Sequence, residues 1–172
     1  TNQDLNNDKA IGNGIVSIIA DDGLNFGLYL NASGSYFISD SNLGIGDKAV
    51  DSFTFTSERV SRGNTISSPY RFKFDPLGAT LNENEEILVF YKDNKDNWFR
   101  DTFSNKGVFK DTISYSLTDL LVDELTYFTD LNADGEIGDV IKSVFGTDGS
   151  NSLYKSASNA YLLDDSNLTV GE

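Results

Sequence analysis

Apolar residues recur along this chain with two different periods. In the stretch 49–85, Phe53 and Phe55 alternate with Ser and Thr, and Tyr70, Phe72 and Phe74 alternate with Arg71 and Lys73. A period of two predicts strands with one buried face. Pro69 and Pro76 bound the second of them. Ile87–Tyr91 and Trp98–Phe103 flank the polar run Lys92-Asp93-Asn94-Lys95-Asp96-Asn97, which predicts a hairpin with a long tip. Leu117, Leu120, Leu121, Leu125 and Phe128 then fall on one helical face, with Thr118 as a candidate N-cap. Beyond them Ile137, Val140, Ile141 and Val144 recur at helical spacing, as do Ile11, Ile15, Ile18 and Ile19 near the start. The pattern predicts a helix in each of those places.

The two helical patterns belong to a duplicated segment. Aligning Asp4–Asp47 with Asp130–Glu172 needs one gap, between Leu24 and Leu28, and gives 21 identities in 43 aligned positions. Asp4-Leu5-Asn6 matches Asp130-Leu131-Asn132, Leu28-Tyr29 matches Leu153-Tyr154, and Asp40-Ser41-Asn42-Leu43 matches Asp165-Ser166-Asn167-Leu168. Such density marks an internal repeat. Each copy reads as a helix ended by an Asp-Gly turn (Asp22-Gly23 or Asp148-Gly149), followed by a hairpin and a short last strand at Leu43–Ile45 or Leu168–Val170. The expected fold class is α+β. Two helix–hairpin units, 1–48 and 130–172, flank a β-rich middle, 49–129, that ends in the amphipathic helix. They form one compact domain or two closely packed subdomains.

The second copy opens with DLNADGEIGD, from Asp130 to Asp139. Asp130, Asn132 and Asp134 put oxygen side chains at alternate positions before Gly135, a spacing that lets a tight loop gather them around a hard cation such as calcium. Glu136 would offer its backbone carbonyl and Ile137 would pack inward. Position 12 of such a loop, where a bidentate Glu is expected, holds Ile141. The remaining ligands would be water, Asp139, or a carboxylate from Asp123, Glu124 or Asp148. Losing the bidentate ligand places the expected affinity near the ~10⁻⁴–10⁻³ M of extracellular modules. The competing reading is a set of Asx turns that cap the backbone without metal. The first copy offers Asp4, Asn6 and Asp8 as a weaker second site, since Lys9 stands where the glycine belongs.

Composition narrows the chemistry. The 172 residues carry a net charge of −14, with no Cys and no His. Disulfides, thiolate or imidazole metal sites and a Ser-His-Asp triad are therefore excluded within the chain. The acidic balance argues against nucleic-acid partners and suits divalent cations. Apolar runs reach about five residues, as at Ile87–Tyr91, against the ~20 a spanning helix needs. No signal peptide is visible, and an opening at Thr1 is what a processed form or an excised fragment would have.

Helix–loop–helix around D-x-N-x-D-G resembles an EF-hand or half of a dockerin, although 126 residues between the two loops argue against a compact dockerin. The wider order is aromatic strand, polar tip, Trp98-Phe99, helix, D-L-N-x-D-G-x-I-G, Leu153-Tyr154 and the closing Asp164 to Gly171. Over residues 86–172, and again over 4–47, it resembles the tryptophan-rich C-terminal repeat domain of cyanobacterial and other bacterial surface or secreted proteins. The resemblance implies an accessory module of a large exported protein, without a reaction of its own.

The leading expectation is thus a non-enzymatic, calcium-stabilised extracellular or cell-surface module with no catalytic residues. The alternative is a glycan-binding or adhesion module that stacks Tyr91, Trp98 and Phe99 on a polysaccharide, although alternation on strands equally makes these rings core. A carboxylate-dependent glycoside hydrolase ranks below both, because among 27 Asp and Glu no pair stands out. Neighbouring repeats of the same protein are the other expected partner.

Overall fold

A computed structural model describes residues 14–21, 26–39, 43–48, 53–147 and 152–164, with the side chains of 145–147 and 162–164 left aside. Among the described residues it contains thirteen strands and one helix. The chain is therefore β-rich, and the α+β expectation with several helices is wrong. By its contacts it divides into one unit of Thr1–Ser114 and another of Tyr115–Glu172.

In the first unit, strands β1 (Ile15–Asp21), β2 (Gly27–Asn31), β3 (Tyr36–Ser39) and β4 (Phe53–Thr54) form an antiparallel sheet in sequence order. The run Ile15–Ile19 was expected to be helical and is a strand instead. Its pairing with β2 explains the misreading. Ile15 faces Asn31, Ser17 faces Leu30, Ile18 faces Tyr29, Ala20 faces Leu28 and Asp21 faces Gly27, with register shifts at two places. Each shift is a bulge that inserts one extra residue, so residues facing the same side lie three apart rather than two. A twice-bulged strand thus imitates helical spacing. Ile11 lies outside the described residues, as do both Asp-Gly turns and Leu168–Val170. The expected strand at Leu43–Ile45 is a turn, in which Gly46 donates to the Ile15 carbonyl and Asp47 accepts from the Ile15 amide.

A short ribbon follows, β5 (Thr56–Ser61) paired with β6 (Asn64–Pro69), and then a second sheet. That sheet comprises β7 (Gly78–Leu81), β8 (Ile87–Lys92), β9 (Trp98–Phe103) and β10 (Phe109–Tyr115), ordered β10-β9-β8-β7. The hairpin expected at Ile87–Phe103 forms, with Ile87 opposite Phe103 and Lys92 opposite Trp98. The strand expected at Tyr70–Phe74 does not. That segment leaves the β5–β6 ladder after Pro69, with the Tyr70 amide donating to the Phe55 carbonyl, and lays its rings on the core instead. Tyr70 packs 5.0 Å from Phe103 and 4.8 Å from Phe109, and Phe55 lies 4.5 Å from Phe103. The two sheets meet through Leu28 and Ile38 of the first and Ala79, Ile87, Val89 and Phe103 of the second, with Phe26 and Phe55 completing the core.

Among the described residues of this unit, one carboxylate is buried. Asp101, on β9, is fully buried and accepts hydrogen bonds from Tyr70 Oη at 2.6 Å, Tyr91 Oη at 2.9 Å and Thr112 Oγ1 at 2.6 Å. The second unit holds helix α1 (Leu117–Tyr127), a loop, and a sheet of β11 (Ile141–Thr147), β12 (Ser152–Ser156) and β13 (Tyr161–Asp164). The expected helix at Val140–Phe145 is thus also a strand, with the same two bulges as β1. Helix α1 is too short to cross a membrane, and no other helix is described.

Burial raises the Tyr70 and Tyr91 phenols well above their ordinary value, helped by the Asp101 carboxylate, which accepts their protons and repels the phenolate. Burial and Asp75 likewise push Tyr36 to about 12. Above the ordinary phenol value, about 10, the unfolded chain gives up these protons while the folded chain keeps them. Stability should therefore be intact below about pH 10 and fall as the pH rises towards 12. Melting temperature against pH reads this, and a Tyr91→Phe variant should show a shallower alkaline decline than the wild type.

The DLNADGEIGD loop and the buried carboxylate beneath it

Helix α1 starts where Ser116, not Thr118, caps it. Ser116 Oγ accepts from the Asp119 amide at 3.0 Å. The helix ends at Phe128, whose backbone turns left-handed (φ 52°) and whose amide returns to the Glu124 carbonyl. The loop then runs into a strand, so the arrangement is helix–loop–strand rather than the helix–loop–helix of an EF-hand.

Within the loop, backbone amides gather the oxygen side chains. Asp130 Oδ1 accepts from the Asp134 amide (3.3 Å) and Oδ2 from the Gly135 amide (2.8 Å). Asn132 Oδ1 accepts from the Asp134 amide at 2.7 Å, and Asp134 Oδ1 from the Glu136 amide at 3.0 Å. Gly135 supports the turn with φ +88°, a conformation L side chains rarely adopt. The sequence spacing thus brings Asp130, Asn132 and Asp134 onto one tight turn. Lys142 reaches back from β11 and sets its ammonium 3.4 Å from Asp134 Oδ2.

The other expected ligands are occupied differently. Asp139 accepts from the amide and hydroxyl of Ser158, at 2.7 and 2.8 Å, which ties the loop to the β12–β13 turn. Ile141 is buried at the start of β11. Asp123 accepts from Tyr115 Oη. Ile137, expected in the core, is exposed instead. Asp148 lies outside the described residues, as do Asp4, Asn6 and Asp8 of the first loop. Among the described residues no three acidic side chains converge on one point. The donor set that remains is two carboxylates, one amide oxygen and the Glu136 carbonyl. All are hard oxygen donors, the ligand type that an oxygen-seeking cation takes.

The residue that shapes the loop is Glu124. It is fully buried on α1 beside Leu120 and Leu121. Its Oε1 accepts from the amides of Leu131 (3.0 Å) and Asn132 (3.1 Å), and its Oε2 from the amide of Gly138 (2.9 Å). One side chain therefore pins both arms of the loop to the helix. Burial raises its carboxyl above the ordinary range, three amide donors oppose that, and Asp130 adds to the rise. A charged residue in step with Leu117, Leu120 and Leu121 on an apolar helix face was the signal available in the sequence.

Of the aromatic candidates, Tyr91 is buried, with its hydroxyl on Asp101, and Phe99 stacks on it at 5.7 Å. Trp98 is partly exposed, with the Lys92 ammonium 5.8 Å from its ring. Nearby, a shallow cleft of about 540 Å³ opens between Phe72–Leu77 and the β8–β9 tip, lined by Phe74, Asp75, Lys92, Asp93, Asn94 and Asp96 among others.

Because both oxygens of Glu124 accept from amides, an isosteric amide cannot replace it: one end would turn donor against donor. Glu124→Gln should cost roughly 1–3 kcal/mol. Urea unfolding reads the loss, and hydrogen exchange at Leu131, Asn132 and Gly138 should speed up with it.

Compared with protein-family models, with curated proteins and with solved structures, the chain matches none.

Proposed function

We propose that the chain is a non-enzymatic accessory module of a larger exported protein, with its second unit stabilised by calcium. The observation that carries this reading is the gathering of Asp130, Asn132 and Asp134 on one turn by their own backbone amides. A turn already closed this way loses little conformational freedom when a cation arrives. Asp130, Asn132, Asp134 and the Glu136 carbonyl would hold the ion, which would supply charge neutralisation and no chemistry. Glu124 keeps the loop's arms fixed to α1, so ion binding would tighten the joint between that helix and β11. Lys142 competes for Asp134 and keeps the affinity low. Export is supported by the resemblance to bacterial surface-protein repeats, and the absence of Cys and the charge of −14 are compatible with it.

With calcium at about ten times its dissociation constant, the gain is roughly 1.4 kcal/mol, a shift of several degrees for a small unit. Melting in millimolar calcium should exceed melting in excess chelator, with magnesium giving less. Asp130→Asn combined with Asp134→Asn should abolish the shift, and Lys142→Gln should tighten binding by about two- to fivefold. Equal midpoints with calcium and chelator in the wild type would sink the proposal.

A glycan-binding or adhesion module is the second reading. It rests on the cleft at the β8–β9 tip, where Phe74 offers an apolar ring among Asp75, Asp93 and Asn94. An array of bacterial and plant polysaccharides should give signals that fall on Phe74→Ala or Trp98→Ala. A blank array with folded wild-type protein rejects it.

A further inference from the structure

The duplicated meander is built twice to the same plan. In unit one, Ile15, Ile18 and Asp21 face Asn31, Tyr29 and Gly27. In unit two, Ile141, Val144 and Thr147 face Ser156, Tyr154 and Ser152, with bulges at the same two places. The turns agree as well. Ala32 donates to the Gly14 carbonyl as Ala157 does to that of Val140, and Gly34 to Asn31 as Asn159 to Ser156. Gly34 and Asn159 both hold positive φ, at 77° and 65°.

One face of the meander is buried in both copies. Ile15 and Tyr29 are fully buried, and so are their counterparts Ile141 and Tyr154. The opposite face differs. Leu28 is 0% exposed, because Ala79, Ile87, Val89 and Phe103 of the β7–β10 sheet cover it. Its counterpart Leu153 is 39% exposed. Tyr36, at the same edge, sets its ring 5.4 Å from Phe72 and donates to Asp75 at 2.9 Å. Its counterpart Tyr161 is 61% exposed. The same backbone, with the same Leu and Tyr in the same register, is thus roofed by a sheet in one copy and open in the other.

We infer that the Leu153–Tyr161 face is a docking face for a β-sheet of the β7–β10 kind, supplied by a further repeat. Unit one specifies the occupant's chemistry. It is an antiparallel sheet that presents small, branched and aromatic residues to Leu153 and covers the exposed Tyr161 ring. Lys155 stands where Leu30 stands in the first copy, with its ammonium 6.0 Å from the Tyr161 ring, and so the face is more basic than its twin. A second copy of the chain is a poorer occupant, because its own β7–β10 sheet is already taken up by Leu28 and Ile38. The inference does not depend on calcium.

The chain contains no Cys, so one introduced thiol reports on its own burial. Leu153→Cys and, separately, the milder Tyr161→Cys are labelled with a thiol reagent. Each is tested in the 172-residue chain and in a chain extended after Glu172 by a second copy of residues 48–114. Glu172 aligns with Asp47, so the added sheet follows the second meander as the first sheet follows the first. Val60→Cys, at a position 77% exposed on the β5–β6 ribbon, is the control. Labelling at 153 and 161 should be fast in the shorter chain and slow by about tenfold or more in the extended one, since a covered thiol reacts only when the contact opens. The control should react equally in both. Unchanged labelling at both positions in a folded extended chain overturns the proposal. Slow labelling in the shorter chain at every concentration also overturns it, because the face is then already covered. Slowing only at high concentration makes a second copy the occupant and overturns it too.

Discussion

A carboxylate taken out of water must be given hydrogen-bond donors, and each unit of this chain is arranged around one that is. In the first, Asp101 collects the hydroxyls of Tyr70, Tyr91 and Thr112, so a segment outside the sheets, a central strand and an edge strand converge on one point. In the second, Glu124 collects the amides of Leu131, Asn132 and Gly138, so an irregular loop acquires a fixed shape against a helix. Leaving such groups unpaired would cost more than most single contacts return, which makes these two networks strong determinants of local geometry.

The Glu124 network changes the meaning of the loop above it. The oxygens of Asp130, Asn132 and Asp134 close Asx turns on their own backbone, and Asp139 is spent on the β12–β13 turn. On the calcium reading proposed above, what remains for a cation is the first half of a calcium loop with Lys142 at its edge. On that reading the loop is a joint that an ion would stiffen rather than a sensor that an ion would open, since sensor loops depend on a bidentate ligand at the position Ile141 occupies.

The two meanders separate local from tertiary determinants. Bulges, turns and the Tyr29 or Tyr154 face recur because the residues that dictate them recur: the alternation of small and branched residues, and Gly or Asn where φ is positive. Cover on the other face is not a property of the meander. It depends on whether a second sheet lies against it, and for Leu28 one does.

The sequence by itself determined the repeat, which shows as identities between two distant segments, and the β8–β9 hairpin, helix α1 and the turn at Asp130–Asp134, which show as local periodicity and spacing. It misdirected at Ile15–Ile19 and Ile141–Val144. There two bulges stretch a strand's period towards that of a helix, and only pairing with β2 or β12 decides between them. It also misdirected at Tyr70–Phe74, where alternation was real but reflects rings laid on the core from outside any strand. Among the candidate site residues, the turn at Asp130, Asn132 and Asp134 was legible in their spacing. The roles of Glu124 and Asp139 were not, because their partners lie 7 to 19 residues away and are chosen by which groups packing removes from water.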